Sequence, residues 1–176
     1  MDAMETDYVV VGAGSAGCVV ASRLSETGAK VLLLEAGPAD HKPLIHIPAG
    51  VKSLLYNASV NWNYASEPEE GTAGRAIHWP RGRVLGGSHS INGMLYVRGN
   101  PADYDGWAQL GCRGWSFSDV LPLFRRSERY EKGEDAIRGR SGPMPVEDYR
   151  TILPLTNAFV RAAQDAAFTP NPAYIG

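Results

Sequence analysis

The chain has 176 residues, of which 44% are hydrophobic and 20% are charged, and its formal net charge is −2. These values are ordinary for a globular domain, and they give neither the basic surface of a nucleic-acid-binding protein nor a polybasic membrane patch. No segment is apolar enough to span a bilayer, and Cys18 and Cys112 fit neither a disulfide framework nor a metal site. The acidic N-terminus lacks a secretory pattern, so we expect a cytoplasmic setting.

The first predicted unit is a strand, a glycine-rich turn, a helix and a second strand. A β-branched run predicts a strand at Tyr8–Val11 that is buried on both faces. The turn Gly12–Gly17 follows it, and the apolar spacing then predicts a helix over Cys18–Thr27, with Gly28 just beyond its end. Val31–Leu34 has the composition of the second, parallel strand.

The turn has the GxGxxG spacing of a dinucleotide-binding loop. Gly12 permits a tight turn, Gly14 lets a pyrophosphate approach the backbone, and Gly17 allows helix and strand to pack closely. The helix N-terminus offers N–H groups and a positive dipole end to a diphosphate. Glu35, at the end of the second strand, can accept hydrogen bonds from a ribose diol, which favours FAD or NAD over NADP. The motif alone does not choose between FAD and NAD.

The middle of the chain is broken by prolines and predicts only short elements. Val51–Tyr56 is at most a brief helix, and Tyr64–Glu67 and Arg75–Trp79 flank a turn and predict a β-hairpin. A second glycine-rich loop, Pro80–Gly93, is expected to lead into a helix toward Tyr96.

The last part of the chain predicts three helices separated by loops. Asn100 as N-cap and Pro101 begin the first, which stops at Gly111. The second starts near Ser116 or Ser118 and runs toward Tyr130, and the third runs from about Pro154 to Ala167. The segment Gly133–Gly142 is expected to be an exposed loop. The positions expected to face inward are Tyr104, Trp107 and Leu110, then Val120, Leu121 and Phe124, then Leu155, Phe159 and Ala162.

The number of strands is too small for a complete doubly wound sheet. Only Tyr8–Val11 and Val31–Leu34 are good parallel strands, and two strands cannot cover their own faces or edges. The sequence therefore predicts the front portion of a larger α/β fold.

With both glycine-rich loops in place, the sequence resembles the N-terminal part of the glucose–methanol–choline (GMC) oxidoreductases, particularly choline dehydrogenases and alcohol oxidases. The resemblance covers nearly the whole chain, and its second loop is more specific than its first. It implies an FAD-binding Rossmann-like α/β domain of the GMC type, incomplete here and completed by a missing C-terminal part. Within it, residues 1–37 would form the βαβ ADP-binding unit, residues 38–99 the hairpin and flavin loop, and residues 100–176 a helical segment. The stretches that carry the resemblance are Gly12–Gly17, Glu35–Gly37, Asn61-Trp62, Gly82–Ser88, Asn92–Met94, Tyr96, Arg98-Gly99, Asp103–Asp105, Trp107, Gly114–Ser116, Leu121-Pro122 and Phe124.

The resemblance implies FAD as the cofactor and assigns residues to it. The first loop would hold the ADP half, Glu35 the adenosine ribose, and the second loop the pyrophosphate and flavin. The residues so implied are Gly12, Gly14, Ser15, Ala16, Gly17, Glu35, Ala36, Val84, Gly87, Ser88, Asn92, Gly93, Met94 and Leu95.

The resemblance also implies a reaction, the oxidation of a primary alcohol by hydride transfer to flavin N5. The base in such enzymes is a histidine, paired with a second His or Asn, in the C-terminal half, and no position of this chain matches it. We therefore expect no catalytic residue here, and we expect a small-molecule alcohol and the remainder of the same protein as partners. His89 departs from the family pattern, but the histidine that carries a covalent flavin in some members matches Ile91, so we expect a non-covalent flavin.

Two alternatives keep the fold. Relatives of the family include hydroxynitrile lyases and a light-driven fatty acid decarboxylase, which would retain the flavin and change the reaction. A non-catalytic flavin-binding fragment is the other alternative.

Overall fold

A computed structural model describes residues 5–133 and 136–170 of the chain. The chain divides into two compact units, residues up to 95 and residues from 96 onward. The predicted tail beyond residue 170 lies outside the described residues. In the part of the chain that is described, no helix has the length and apolar character needed to cross a membrane.

The first unit begins with the predicted strand–helix–strand unit. β1 (Tyr8–Val11) pairs in parallel with β2 (Val31–Leu34), and α1 (Ser15–Ser25) connects them. The helix starts at Ser15 rather than Cys18, because Gly14 caps it in an extended conformation with φ −76° and ψ −174°. The predicted parallel pair is confirmed.

The prediction that β1 is buried on both faces is wrong for this chain. Val9 and Val11 are 55% and 82% exposed. The physical reason is that β1 and β2 form a sheet of only two strands, which the described residues do not cover on both faces.

A small core lies in the irregular segment that follows. α2 (Val51–Leu54) is the predicted brief helix, and short 3₁₀ turns at Pro43–His46 and Pro48–Gly50 precede it. Ile45 packs against the core, whose buried members come from α2, the chain after it and the second loop: Leu54, Val60, Val84 and Ile91.

The predicted hairpin is present but short. β3 (Tyr64–Ala65) pairs antiparallel with β4 (His78–Trp79), and the connection contains a 3₁₀ turn at Glu70–Thr72. Glu69 and Thr72 cap that turn reciprocally, each side chain bonding the other's backbone N–H.

The predicted helix after the second glycine-rich loop is wrong. Only a 3₁₀ turn forms, over Gly87–Ser90, and residues 91–100 have no helix. The Asn92 Oδ1 atom accepts the Met94 N–H at 2.9 Å, and Met94 has φ +59°. This local turn of an Asn side chain on its own backbone competes with helix formation.

The second unit contains α3 (Pro101–Gln109), α4 (Phe117–Ser127) and α5 (Pro154–Asp165). Asn100 caps α3 by accepting the Ala102 N–H, as predicted, and Ser116 caps α4 reciprocally with Asp119. α4 ends before Tyr130, because Glu128 turns to extended backbone and starts β5 (Glu128–Arg129), which pairs in parallel with β6 (Met144–Pro145).

The segment Gly133–Gly142 is not wholly exposed, contrary to prediction. Arg138 is buried and its guanidinium forms an ion pair with the fully buried Glu128 at 2.9 Å, while Arg98 contacts the same carboxylate at 2.5 Å. Gly139 donates its N–H to Glu128 Oε2 at 2.8 Å, and a Cβ on it would lie 2.0 Å from the Arg125 carbonyl oxygen. The buried charge therefore draws this loop inward.

The inward positions of the helices are confirmed only in part. Val120 is buried, and Tyr104 makes ring contacts with Trp107, Phe117 and Phe124. Several others are exposed, because the described chain has no element packed on those faces. They are Trp107 and Leu110 on α3, and Leu155, Phe159 and Ala162 on α5.

Candidate functional site

The two glycine-rich loops meet in the first unit. The Gly86 N–H donates to the Ala13 carbonyl at 2.8 Å, and Gly14 and Gly86 form an isolated parallel bridge. A Cβ on Gly87 would lie 2.8 Å from the Gly14 Cα, closer than real Cβ atoms approach. Glycine is therefore required at position 87 for the loops to touch.

The three glycines of the first loop differ in what the surrounding structure requires at each position. Gly12 has φ +95°, which a turn of this kind requires. A Cβ on Gly17 would lie 1.8 Å from the Gly12 carbonyl oxygen, so Gly17 is required for the helix to pack on the turn. At Gly14, a Cβ would meet only the Gly87 Cα, at 4.0 Å. The space in front of Gly14 is open to a ligand.

The N-terminus of α1 points its first-turn N–H groups beside that open space. No side chain of the described residues caps this helix, and Ser15 and Ala16 are exposed. Uncapped N–H groups and the positive end of the helix dipole together favour an anion.

Glu35 braces the first loop. Its Oε2 atom accepts the Ala13 N–H at 2.8 Å, and its Oε1 atom accepts the Gly37 N–H at 2.9 Å. An ionised carboxylate has about four acceptor positions, so two remain for a ribose diol. The bracing role was not apparent from the sequence, since it joins residues 22 positions apart.

The second loop also packs closely on the segment that follows β2. A Cβ on Gly37 would lie 2.1 Å from the Arg83 carbonyl, and the Leu85 N–H donates to the Pro38 carbonyl at 2.9 Å. Val84 is fully buried in the core, and its carbonyl accepts the Gly87 N–H at 2.7 Å. Further along, the side chains of Met94 and Leu95 are exposed.

A cleft of about 630 Å³ opens where these loops meet the strand ends. Six of the predicted cofactor residues line it: Gly12, Gly14, Glu35, Ala36, Gly87 and Ser88. The other predicted residues are not among its lining: Ser15, Ala16, Gly17, Val84, Asn92, Gly93, Met94 and Leu95. The remaining lining residues were not assigned from the sequence: Val11, Leu34, Trp62, Tyr64, Arg81 and Gly82.

A buried asparagine, Asn61, binds the two segments that carry the hairpin residues of the cleft. Asn61 is 2% exposed, and its Oδ1 atom accepts the N–H groups of Asn63 and Arg81, both at 2.9 Å. Its Nδ2 atom donates to the Leu55 carbonyl at 2.7 Å. The sequence did indicate Asn61-Trp62 as part of the family resemblance, and this was its signal that the hairpin side of the cleft matters.

The histidines do not line the cleft. His89 contacts the Ser15 hydroxyl through Nδ1 at 3.3 Å, His78 stacks on Tyr56, and His46 contacts the Asp40 carbonyl at 2.7 Å. Among the described residues, no cluster of three or more His, Cys, Asp or Glu side chains could hold a metal ion. None of the four histidines is among the residues that line the cleft.

A hydrogen-bonded cluster in the second unit, formed by Tyr130, Lys132 and Asp148, has shifted pKa values. Hydrogen bonds from Lys132 and Tyr130 hold the pKa of the Asp148 carboxyl below its usual value. The same two contacts raise the pKa of Lys132 and of Tyr130. Asp148 accepts from both partners at 2.7 Å, through Oδ1 from Tyr130 and through Oδ2 from Lys132.

The cleft fits FAD on grounds that the chain itself supplies. The open space at Gly14 would take a diphosphate beside the N–H groups of α1, and Glu35 retains acceptor positions for a ribose. The cleft also has apolar walls at the ends of β1 and β2. Diphosphate, diol and apolar surface are the features that an adenine dinucleotide requires.

Comparison with known proteins gives consistent matches. A family model described as GMC oxidoreductase matches residues 6–173. The chain is 45% identical over 174 residues to the oxygen-dependent choline dehydrogenase of Brucella suis biovar 1 (strain 1330), covering 98% of this chain and 32% of that protein. It is 48% identical over 172 residues to the mitochondrial choline dehydrogenase of Mus musculus, covering 93% and 29%.

A solved structure agrees with these sequences. Pyridoxine 4-oxidase from Mesorbium loti matches with a TM-score of 0.85 and 41% identity, over 92% of this chain and 32% of that one. The chain thus spans about a third of the length of the relatives it matches.

Proposed function

This chain belongs to the GMC oxidoreductase family, and from that premise we propose that it supplies the FAD-binding part of an enzyme that oxidises a primary alcohol. The observation that carries the proposal is the meeting of the two glycine-rich loops at one cleft, with the Glu35 carboxylate beside them. Choline and pyridoxine, in the names of the relatives, are both alcohols.

Each part of the chain has its own task in this proposal. Residues 1–37 hold the ADP half of FAD: the N–H groups of α1 bind the diphosphate, and Glu35 orients the adenosine ribose. Residues 38–99 hold the flavin half through the second loop, over Val84 to Leu95. When bound, FAD would supply the acceptor, at N5, for the hydride that leaves the alcohol carbon. The hydroxyl proton of the alcohol would pass to the base in the remainder of the protein.

The base and the substrate pocket belong to the remainder of the protein in this proposal. The four histidines lie away from the cleft, and the relatives are about three times as long as this chain. The relatives are named as a dehydrogenase and an oxidase, which supports a redox reaction over the lyase and light-driven alternatives.

The test is anaerobic reduction of the flavin in the complete protein that contains this chain. We expect yellow protein whose oxidised-flavin absorbance is lost on mixing with a primary alcohol and retained with the corresponding alkane. Purification of the protein without flavin would overturn the proposal. The proposal would also be overturned if dithionite reduces the flavin but a broad panel of primary alcohols does not. Cleavage of a cyanohydrin without flavin reduction would identify the lyase alternative.

A further inference from the structure

The second glycine-rich loop contains an Asn-Gly pair, Asn92-Gly93, that is open to water. Both residues are exposed, and a Cβ on Gly93 would meet no atom within 4 Å. The Asn92 Oδ1 atom accepts the Met94 N–H at 2.9 Å, and this bond closes a ring of atoms that includes the Gly93 nitrogen. The side-chain amide of Asn92 is therefore folded back along its own backbone, toward that nitrogen.

This arrangement brings together the groups of a spontaneous reaction, the deamidation of asparagine. The Gly93 nitrogen, after giving its proton to hydroxide, attacks the side-chain amide carbon of Asn92. A carbon–nitrogen bond forms and ammonia leaves, which gives a cyclic succinimide. Water then opens the ring at either of its two carbonyl carbons, so that the product is aspartate or isoaspartate. The overall reaction consumes water and releases ammonia, and it needs no other reactant.

The residue after the asparagine decides whether this attack can occur. Four asparagine side chains in the described residues accept the N–H group two positions on, at 2.9–3.0 Å: Asn57, Asn61, Asn92 and Asn100. The hydrogen bond is the same in all four, but the residues that follow them differ: Ala58, Trp62, Gly93 and Pro101. Among these four, Gly93 alone has both an N–H and no side chain.

The other three positions are each less reactive for a physical reason. Pro101 has no N–H to ionise. Asn61 is 2% exposed, and its Nδ2 atom donates to the Leu55 carbonyl at 2.7 Å, so water is excluded and the leaving group is held. At Ala58 a Cβ restricts the backbone rotation that the attack requires, which slows the reaction without preventing it.

We propose that Asn92-Gly93 is a site of spontaneous deamidation in the flavin-free protein, and that this change removes flavin binding. The second part rests on the proposed function, in which both residues belong to the stretch that holds the flavin half. Aspartate adds a negative charge beside an anionic cofactor, and like charges repel. Isoaspartate also inserts an extra carbon into the backbone of the loop.

The experiment incubates the complete protein, stripped of its flavin, at mildly alkaline pH. Peptide mass spectrometry follows each asparagine by the exchange of its NH2 for OH. We expect conversion at Asn92 to be at least about fivefold faster than at Asn57, because glycine leaves the backbone free to rotate. Asn61 and Asn100 should stay intact. FAD titration of samples taken at successive times should show the binding-competent fraction falling in step with intact Asn92.

Two variants exchange the residues that distinguish the matched pair. Gly93→Ala should slow conversion at Asn92 to about the rate at Asn57. Ala58→Gly, which is not among the residues that line the cleft, should accelerate conversion at Asn57. Thermal unfolding checks the fold of each variant, and if Gly93→Ala does not fold, Ala58→Gly carries the same expectation at Asn57. Asn92 that survives as long as Asn57, or full FAD binding by protein whose Asn92 has been converted, would overturn the inference.

The two proposals fail in different ways, because mass spectrometry detects the conversion without a bound cofactor. If the freshly prepared protein does not bind FAD, or no alcohol reduces its flavin, the proposed function is wrong. If it binds FAD and is reduced, and Asn92 stays intact in the flavin-free protein, only the deamidation site is wrong.

Discussion

Gly14 and Gly17 lie three residues apart in the first loop, but a methyl group at each would meet different surroundings. At Gly17 it would collide with the Gly12 carbonyl oxygen at 1.8 Å, whereas at Gly14 it would project into open space with an unstrained φ of −76°. The fold therefore requires glycine at position 17 and not at position 14, where the proposed diphosphate would be the reason for it.

This difference predicts opposite effects for two alanine variants. Gly17→Ala should lower the free energy of unfolding of the flavin-free protein by about 1–3 kcal/mol, the usual cost of overpacking. Gly14→Ala should leave that free energy within about 0.5 kcal/mol and weaken FAD binding by a cost of the same 1–3 kcal/mol order, since the methyl group would displace the diphosphate. Urea unfolding and FAD titration measure the two quantities. Equal FAD affinity in Gly14→Ala and the unmodified protein would contradict the assignment.

Glu35 braces the first loop, and in the proposed function it also binds the ribose, so its removal should lower both the stability of the protein and its affinity for FAD. Glu35→Ala removes the acceptor for the Ala13 and Gly37 N–H groups, so the flavin-free protein should lose about 1–3 kcal/mol of stability. Loss of the bonds to the ribose should cost a further amount of FAD binding, about 1.5–3 kcal/mol. Thermal unfolding and flavin retention after dialysis are the measurements.

Glu26→Ala is the control for Glu35. Glu26 forms an exposed ion pair with Arg23 on α1, and such pairs contribute about 0–1 kcal/mol. Full flavin retention with unchanged affinity in Glu35→Ala would argue against a bond to the ribose.

At the scale of elements, the second unit is organised around a buried charge rather than an apolar core. Glu128 at the end of α4 is contacted by Arg98 from before α3 and by Arg138 from the loop before β6. The Arg98 Nη1 atom also donates to the Ile137 carbonyl at 2.7 Å. One carboxylate thus connects three segments that are distant in sequence.

Glu128→Gln should therefore destabilise the complete protein by about 3–5 kcal/mol, because it leaves two buried guanidinium groups without a counter-charge. Glu147→Gln, which removes an exposed pair with Arg150 at 3.4 Å, should change the stability by less than about 1 kcal/mol. Urea unfolding compares the two variants. Similar midpoints would show that the buried pairs contribute no more than a surface pair.

At the scale of the whole molecule, the chain exposes apolar surface that a finished protein covers. Leu155 and Phe159 on α5 are 79% and 74% exposed, and β1 and β2 form a sheet of two strands. Such faces and strand edges are normally packed or paired.

Residues 1–176 produced alone should therefore unfold with low cooperativity, bind a hydrophobic dye and bind FAD weakly. They should reduce no flavin with alcohols, because no histidine lines the cleft. Calorimetry, dye fluorescence and anaerobic flavin absorbance measure these properties, with the complete protein as the comparison. A well-folded monomer that reduces its flavin at a normal enzymatic rate would contradict the expectation.

The sequence alone determined the family, FAD as its cofactor, the parallel strand pair and the Asn100 cap of α3, and these predictions are confirmed. They follow from local chemistry: a β-branched run before glycines forms a strand and a turn, and Asn100 beside Pro101 begins a helix, with few distant contacts needed. The predicted helix after the second loop failed for an equally local reason, because the Asn92 side chain bonds the backbone two residues on.

Tertiary structure decided what depends on residues far apart in the chain. Glu35 braces Ala13 across 22 positions, and Arg98 and Glu128 are 30 positions apart. Asn61 likewise accepts the Arg81 N–H across 20 positions, next to the Trp62 and Tyr64 side chains that line the cleft. Periodicity and turn chemistry carry no information about such pairings, since a buried polar group can be satisfied by any segment that the fold brings within hydrogen-bonding distance.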